Sequence, residues 1–148
     1  MRLSAKGRYA LAATTSMAQN NGNNEYITLI SISEKLGISK IYLEQVFSLL
    51  KHGGIVNSIK GSQGGYQLTR APKQISAFDI LSSVETSLFE KAEETIKEKA
   101  PDIETAVFQT IYQPLDSVIR TTLQKITLYD LVTEAEKYNP DQGFMFFI

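Results

Sequence analysis

Two short amphipathic segments, separated by three residues, constrain what the first half of the chain can fold into. Thr28 and Ser39 precede the segments as helix caps, and Gly37 ends the first one. A helix, a tight turn and a second helix together predict a helix-turn-helix, although unrelated helical hairpins share this outline. The apolar residues of each segment recur at the spacing of one helix face: Leu29, Ile32 and Leu36 in the first, and Leu43, Val46, Phe47 and Leu50 in the second.

The residues that follow have a pattern typical of a β-hairpin. IVNSIK (55–60) and GYQLT (65–69) are short β-like runs around a turn that contains Gly61, Gly64 and Gly65. A phosphate-binding nucleotide loop would lead into a helix and carry a Lys-Ser or Lys-Thr pair. Because this turn leads into a β-like run without such a pair, the sequence predicts a wing, and hence a winged helix-turn-helix.

Helical patterns account for most of the other residues. A helix is expected from Ser4 to Gln19, with Ser4 as its N-cap. A short amphipathic helix is expected at 77–85 and a last short helix at 126–138. Residues 90–100 are highly charged and read as a solvated helix end or a connector. A long apolar pattern begins at Pro101, and Pro114 should kink or restart the helix there.

The long pattern suggests a dimer seam, since a helix of this length cannot bury its whole apolar face on a small neighbour. Packing within one chain is the alternative. The fold class is therefore mainly α with a small β-hairpin: a winged helix-turn-helix plus a long dimerisation helix. We expect a DNA-binding region at 1–72, and dimerisation and regulatory helices with an apolar C-terminal tail at 73–148. The seam residues are Val107, Ile111, Leu115, Val118, Ile119 and Leu123.

The charge distribution favours a nucleic-acid partner. The net charge is only −1, but residues 1–73 carry nine Lys/Arg against three acids, a balance of +6, and residues 74–148 carry six against thirteen, a balance of −7. Chance segregation of surface charge is the alternative. The chain has no cysteine and one histidine, so thiolate metal sites, disulfides and cysteine catalysis are excluded. The scattered carboxylates do not predict an enzyme, and we expect a cytoplasmic protein without a transmembrane helix.

The second helix of the pair carries the candidate base contacts, because recognition helices read base edges through their N-terminal residues. Gln45 can pair with adenine, Glu44 can accept from cytosine, and Ile41 can contact a thymine methyl. An ordinary solvated face is the alternative. Residues suited to sugar–phosphate contacts are Ser39, Lys40 and Tyr42 on this helix, Lys60, Gly61, Ser62 and Gln63 in the wing, and Arg2, Ser4, Lys6 and Arg8 at the start of the first helix.

Four segments together resemble the Rrf-two, or Rrf2, family of bacterial winged-helix transcription regulators: LSAKGRYAL, ISKIYLEQVFSLLKHGGIV, IKGSQGGYQL and ITLYDLV. The resemblance runs through nearly the whole chain. It implies a sequence-specific regulator, expected here to be a homodimeric repressor that binds double-stranded DNA at a pseudo-palindromic operator.

Many members of that family carry three cysteines that bind an iron–sulfur cluster. The corresponding stretch here, TSLFEKAEETIKEKAPDIET (86–105), has none. The resemblance therefore implies the cluster-free branch, which needs no cofactor and is best known for repression of cysteine metabolism. A cluster-free regulator of another stress or metabolic regulon, responding to a small ligand, is the alternative.

The final residues, QGFMFFI, are strongly apolar. One interpretation is that they fold back onto the dimer core. The resemblance to the cysteine-metabolism branch implies another, in which Phe146, Phe147 and Ile148 dock on O-acetylserine sulfhydrylase, the cysteine-synthesising enzyme with which such a repressor acts.

Overall fold

The computed structural model describes residues 2–20, 26–61 and 64–140. These ranges form a mostly helical chain with one antiparallel hairpin, which confirms the predicted fold class. The helices are α1 (Ala5–Gln19), α2 (Leu29–Leu36), α3 (Lys40–His52), α4 (Ala77–Val84), α5 (Pro101–Val107), α6 (Gln113–Lys125) and α7 (Leu128–Glu136), and the strands are β1 (Val56–Ile59) and β2 (Gly65–Leu68). A 3₁₀ turn covers Pro72–Gln74 and a π-helical turn covers Phe108–Tyr112.

Each of the first three helices begins at the cap that the sequence predicted. The hydroxyl of Ser4 accepts a hydrogen bond from the N–H of Gly7 at 3.1 Å. The hydroxyls of Thr28 and Ser39 do the same for residues three positions further on, at 3.2 and 3.1 Å. These bonds satisfy N–H groups that have no partner within the helix, and so they fix where each helix starts.

The centre of the core is the apolar face of α3. Its four apolar residues are completely buried, as the helical spacing predicted. Helices α1 and α2, strand β1 and helix α4 pack around α3. The side chains that surround it include Ala10, Ala13 and Met17 of α1, Ile32 of α2, Val56 of β1 and Ile80 of α4.

The core continues past the expected boundary at residue 72. Ile75, Val84 and Leu128 belong to the same buried cluster as the α3 residues. The N–H of Ala77 donates to the carbonyl of Ile126 at 2.8 Å, and the N–H of Leu128 donates to that of Ile75 at 2.9 Å. The start of α7 is thereby bonded to the start of α4. The division into 1–72 and 73–148 remains a prediction, and these contacts join its two parts.

The hairpin, called here the wing (residues 56–68), is tied to the chain before α2. The N–H of Ile27 donates to the carbonyl of Tyr66 at 2.8 Å, and the N–H of Tyr66 donates back to Ile27 at 2.8 Å. Gly65, at φ +147°, lies where an added Cβ would stand 3.0 Å from Cβ of Tyr26. Glycine is needed there both for its backbone conformation and for this close approach.

The helix that begins at Pro101 contains the π-helical turn and continues through it without a break. Gln113 donates its N–H to the carbonyl of Phe108, five residues back, and α6 starts directly afterwards. Pro114 has no N–H to offer to the preceding turn, and a widened turn accommodates that loss. No helix among the described residues is long and apolar enough to cross a membrane.

The connector, residues 86–100, contains no helix or strand element, so of the two interpretations of residues 90–100 the structure matches the connector. Its first part is held on α6 by Arg120, whose Nε donates to Asp116 at 2.7 Å and whose Nη2 donates to the carbonyl of Phe89 at 3.3 Å. The same guanidinium lies 5.2 Å from the centre of the Phe89 ring. Further along, the hydrogen bond from Lys97 holds the pKa of the exposed Glu94 carboxyl below its ordinary value.

We expect Leu128→Ala to lower the free energy of unfolding by about 2–5 kcal/mol, because it empties a fully buried position of the shared core. Urea unfolding followed by circular dichroism measures the change. Ile96→Ala is the control, since Ile96 is 41% exposed and should change stability by no more than about 0.5 kcal/mol. Equal effects of the two substitutions would show that α7 is not part of the core.

Candidate nucleic-acid interface

The face of α3 that points away from the core carries the predicted base contacts. Ile41 is 72% exposed, and Glu44 and Gln45 are also exposed. Lys40 and Glu44, one turn apart, form a loose ion pair at 3.9 Å with both side chains about half exposed. A pair this exposed contributes little to stability, so both groups remain available to a ligand.

A cleft of about 310 Å³ lies between the start of α2, the start of α3 and the wing. It brings Lys40 of the recognition helix and Lys60 of the wing to one surface, although they are twenty positions apart in sequence. Thr28, whose hydroxyl caps α2, and Ser58 line the same cleft. Lysines beside hydroxyl-bearing residues on a concave surface suit the phosphates of a nucleic-acid backbone.

Thr28 and Ser58 are cleft residues that the sequence did not predict. The sequence pattern identifies Thr28 only as a helix cap and Ser58 only as a strand residue. Their neighbourhood depends on the pairing of Ile27 with Tyr66, which sets the wing beside α2. Strand alternation could not have placed them there, since Ser58, Ile59 and Lys60 all line the cleft.

The wing tip is placed only in part. Lys60 and Gly61 are exposed, and Ser62 and Gln63 lie outside the described residues. Gly64, at φ +63°, turns the chain into β2. Ile59 is 46% exposed and lines the cleft beside Lys60. The wing therefore presents an apolar and a cationic side chain together.

The start of α1 lies beside the start of α3. The rings of Tyr9 and Tyr42 meet edge to face with their centres 5.2 Å apart, so Tyr42 is half-buried against α1. The exposed side chains of Arg2, Lys6 and Arg8 precede this contact. The predicted cations of α1 are thereby brought near the recognition helix.

Ser4 is a predicted contact whose polar groups also bond within the protein. Its hydroxyl caps α1, and both its N–H and its hydroxyl donate to Oε1 of Glu85. Arg8 donates from Nη1 to the carbonyl of Leu3 at 2.8 Å. Ser4 thus has a structural position in addition to its predicted role, and its contact with DNA remains a prediction like those of the other site residues.

Comparison with known proteins places this arrangement in a family. A family model described as "Rrf2: Iron-dependent Transcriptional regulator" matches residues 3–134. The HTH-type transcriptional regulator IscR of Pectobacterium atrosepticum is 34% identical over 139 residues, which cover 94% of this chain and 84% of that protein.

Two solved structures extend the comparison. The structure of T. potens IscR has a TM-score of 0.74 at 33% identity and covers 99% of this chain and 96% of its own. That of CymR (YrzC), described as the global cysteine regulator of B. subtilis, has a TM-score of 0.68 at 30% identity and covers 90% of this chain and 98% of its own.

The chain has a helix-turn-helix, a wing and a cationic cleft between the two. Together with these relatives, this arrangement defines a DNA-binding transcription regulator, and the relatives are not enzymes. The chain belongs to the Rrf2 family.

The iron dependence in the family description can be tested against the residues present. The chain has no cysteine, and the described residues contain no group of three or more Asp, Glu or His side chains placed to hold a metal ion. The connector, where the family resemblance would place cluster ligands, offers carboxylates and lysines that are open to water. These residues do not fit a cysteine-ligated iron–sulfur cluster.

Substitutions should separate phosphate contacts from base contacts. We expect Lys60→Ala to weaken binding to all duplexes alike. The slope of log K against log salt concentration should become shallower by about 0.9, the contribution of one phosphate. Gln45→Ala should reduce discrimination at one base pair by about 1–3 kcal/mol. Fluorescence anisotropy with a selected duplex and its single-base variants, over a salt series, measures both.

Lys35→Ala is the matched control, because Lys35 carries the same charge but hydrogen-bonds Gln19 at 2.9 Å, away from the cleft. A loss of affinity with Lys35→Ala as large as that with Lys60→Ala would mean that only net charge matters. Unchanged base preference in Gln45→Ala would contradict the assignment of that side chain.

Proposed function

We propose that this chain acts in the cytoplasm as a homodimeric, cluster-free repressor that binds a pseudo-palindromic operator and controls genes of cysteine and sulfur metabolism. The observation that carries the dimer is a row of exposed apolar side chains on the long helix, beside one DNA-reading surface per chain. Repression and the identity of the regulon rest on similarity to relatives and are argued separately below.

The exposed row supports a self-association surface. Ile111, Leu115 and Val118 are 48%, 55% and 62% exposed. Apolar side chains that repeat along one face of a helix are costly to leave in water and are typical of a protein interface. Val107, Ile119 and Leu123, predicted for the same seam, are half-buried.

An apolar cleft of about 630 Å³ borders this row. Residues of α1, α6 and α7 line it, among them Leu11, Val118 and Leu131. Since Val118 belongs both to the exposed row and to the cleft, the long helix of a second copy could fill the cleft while its own cleft receives the first helix. Such reciprocal packing is the isologous contact of a two-fold dimer.

A two-fold dimer presents two recognition helices. Helix-turn-helix dimers read half-sites about 34 Å apart, one turn of B-DNA, so an operator with two-fold sequence symmetry is expected. Binding that excludes polymerase from a promoter is the simplest use of such a complex, and repression is proposed on that ground.

We expect Val118→Asp to convert the dimer to a monomer, because it places a charge in the apolar seam. Sedimentation velocity at micromolar concentration measures the mass. Ser117→Asp is the control, since Ser117 is the exposed neighbour on another side of the helix and should leave the dimer intact. A wild-type chain that is monomeric while it binds operator DNA would contradict the proposal.

The choice of regulon rests on the relatives. The CymR structure is described as that of a global cysteine regulator, and its fold covers nine-tenths of this chain. The absence of cysteine leaves this chain without a thiol switch of its own. A signal must therefore arrive as a partner protein or as a small molecule.

A second candidate function has one observation in its favour. A cleft of about 340 Å³ lies between the connector and the long helix, and Phe108, Tyr112 and Arg120 are among its lining residues. Aromatic rings beside cationic and acidic groups suit a small polar ligand. A cluster-free regulator of another regulon that responds to such a ligand is the alternative.

For the first candidate, O-acetylserine sulfhydrylase is the proposed partner and the apolar residues Phe146, Phe147 and Ile148 are its proposed contact. These three residues lie outside the described residues. The support is the composition of the segment and the similarity to CymR.

Deleting residues 146–148 should abolish co-elution with O-acetylserine sulfhydrylase in gel filtration while the dimer persists. Replacing Gln124, an exposed polar residue of α6, by alanine is the control and should leave co-elution unchanged. Co-elution that survives the deletion would contradict the docking model, and loss of the dimer would support packing of the tail on the dimer core. DNA affinity that responds to a metabolite without any partner protein would favour the second candidate.

A further inference from the structure

A buried carboxylate connects the second half of the chain to the start of α1. Glu85 follows α4, is only 7% exposed and has its Oε1 within hydrogen-bond distance of Ser4, 81 positions earlier. The N–H of Ser4 donates to this oxygen at 2.9 Å, and the hydroxyl of Ser4 donates to it as well. An ionised group is costly to bury, so two donors on one oxygen identify a specific interaction.

Gly7 leaves the space in which the carboxylate lies. A Cβ added at Gly7 would stand 2.3 Å from Oε1 and 3.1 Å from Cδ of Glu85. Gly7 occupies the first turn of α1, where glycine is otherwise unfavourable for a helix by about 1 kcal/mol relative to alanine. The glycine is explained by the close approach of Glu85.

Ser4 transmits this contact to the first turn of α1. Its hydroxyl accepts from the N–H of Gly7 at 3.1 Å and its carbonyl accepts from the N–H of Arg8 at 3.0 Å. A carboxylate at this end of a helix also interacts favourably with the helix dipole. The position of Ser4 therefore sets where α1 begins and how its first side chains are directed.

We propose that Glu85 is a positioning residue for DNA binding: its carboxylate fixes Ser4 and so holds Arg2, Lys6 and Arg8 against the DNA backbone. The inference rests on the proposed DNA contacts of these three cations. Glu85 touches no DNA in this role and acts only through Ser4.

The sign of the effect separates positioning from simple electrostatics. Removing a negative charge near a DNA-binding surface should strengthen binding if the charge acts only through its field. Removing a positioning carboxylate should weaken binding, since the start of α1 and the cations near it would no longer be held in place. Glu85→Ala tests the two against each other.

The probe is a duplex selected from a random pool by the wild-type protein, with affinity measured by fluorescence anisotropy over a salt series. We expect Glu85→Ala to weaken binding about tenfold and to make the salt dependence shallower by about 0.9 for each phosphate that the variant no longer neutralises. Glu85→Gln keeps an oxygen acceptor and should retain part of the affinity. Amide hydrogen exchange at residues 5–8 should accelerate in the same order.

Glu90→Gln is the matched control. Glu90 is an exposed acid of the connector whose neutralisation changes net charge by the same amount, and it should leave affinity unchanged or slightly raised. Gly7→Ala keeps the carboxylate but displaces it, so it should reproduce the effect of Glu85→Ala. The double variant Gly7→Ala, Glu85→Ala should lose no more affinity than either of these single variants, because each of the two substitutions breaks the same interaction.

If Glu85→Ala fails to fold, as judged by circular dichroism, Glu85→Gln decides, since it removes the negative charge and keeps the size of the side chain and one oxygen acceptor. Folded Glu85→Ala or, in its place, folded Glu85→Gln with wild-type affinity and salt dependence would overturn the inference. A wild-type protein that selects no duplex would overturn the proposed function instead.

Discussion

The burial of one face of α3 is the interaction on which the rest of the structure depends. Its four apolar side chains are fully buried, and each contributes about 1.5–3 kcal/mol by leaving water. Helices α1, α2 and α4 and strand β1 are arranged around that face. Because each side chain has a fixed angular position around the helix axis, fixing the buried face also fixes the direction of Ile41 and Gln45 on the other side. Stability and DNA reading are therefore properties of one element.

Elements with a local signal could be predicted from the sequence. Thr28 and Ser39 are side-chain caps with a fixed geometric requirement, and the 3.6-residue period assigns the buried and exposed faces of α3. The wing followed from its glycines. These features depend on neighbours within a few positions, which is the range over which a sequence pattern carries structural information.

Contacts between distant segments could not be predicted in this way. The helical period placed residues 77–85 in one short helix but could not identify Ser4, 81 positions away, as the partner of Glu85. Likewise, Thr28 and Ser58 line one cleft because the pairing of Ile27 with Tyr66 sets the wing beside α2. A pattern tells which side of an element is buried, and the tertiary fold decides what lies against it.

The hydrogen bonds between residues 75–77 and 126–128 have a consequence for how the family can diversify. They close the chain on itself, so that residues 86–125 leave the core after α4 and return beside it at the start of α7. The entropy of closing such a loop changes slowly with its length and little with its composition. Its flexible part, the connector at 86–100, can therefore vary in length and sequence while the core and the DNA-reading surface keep their geometry.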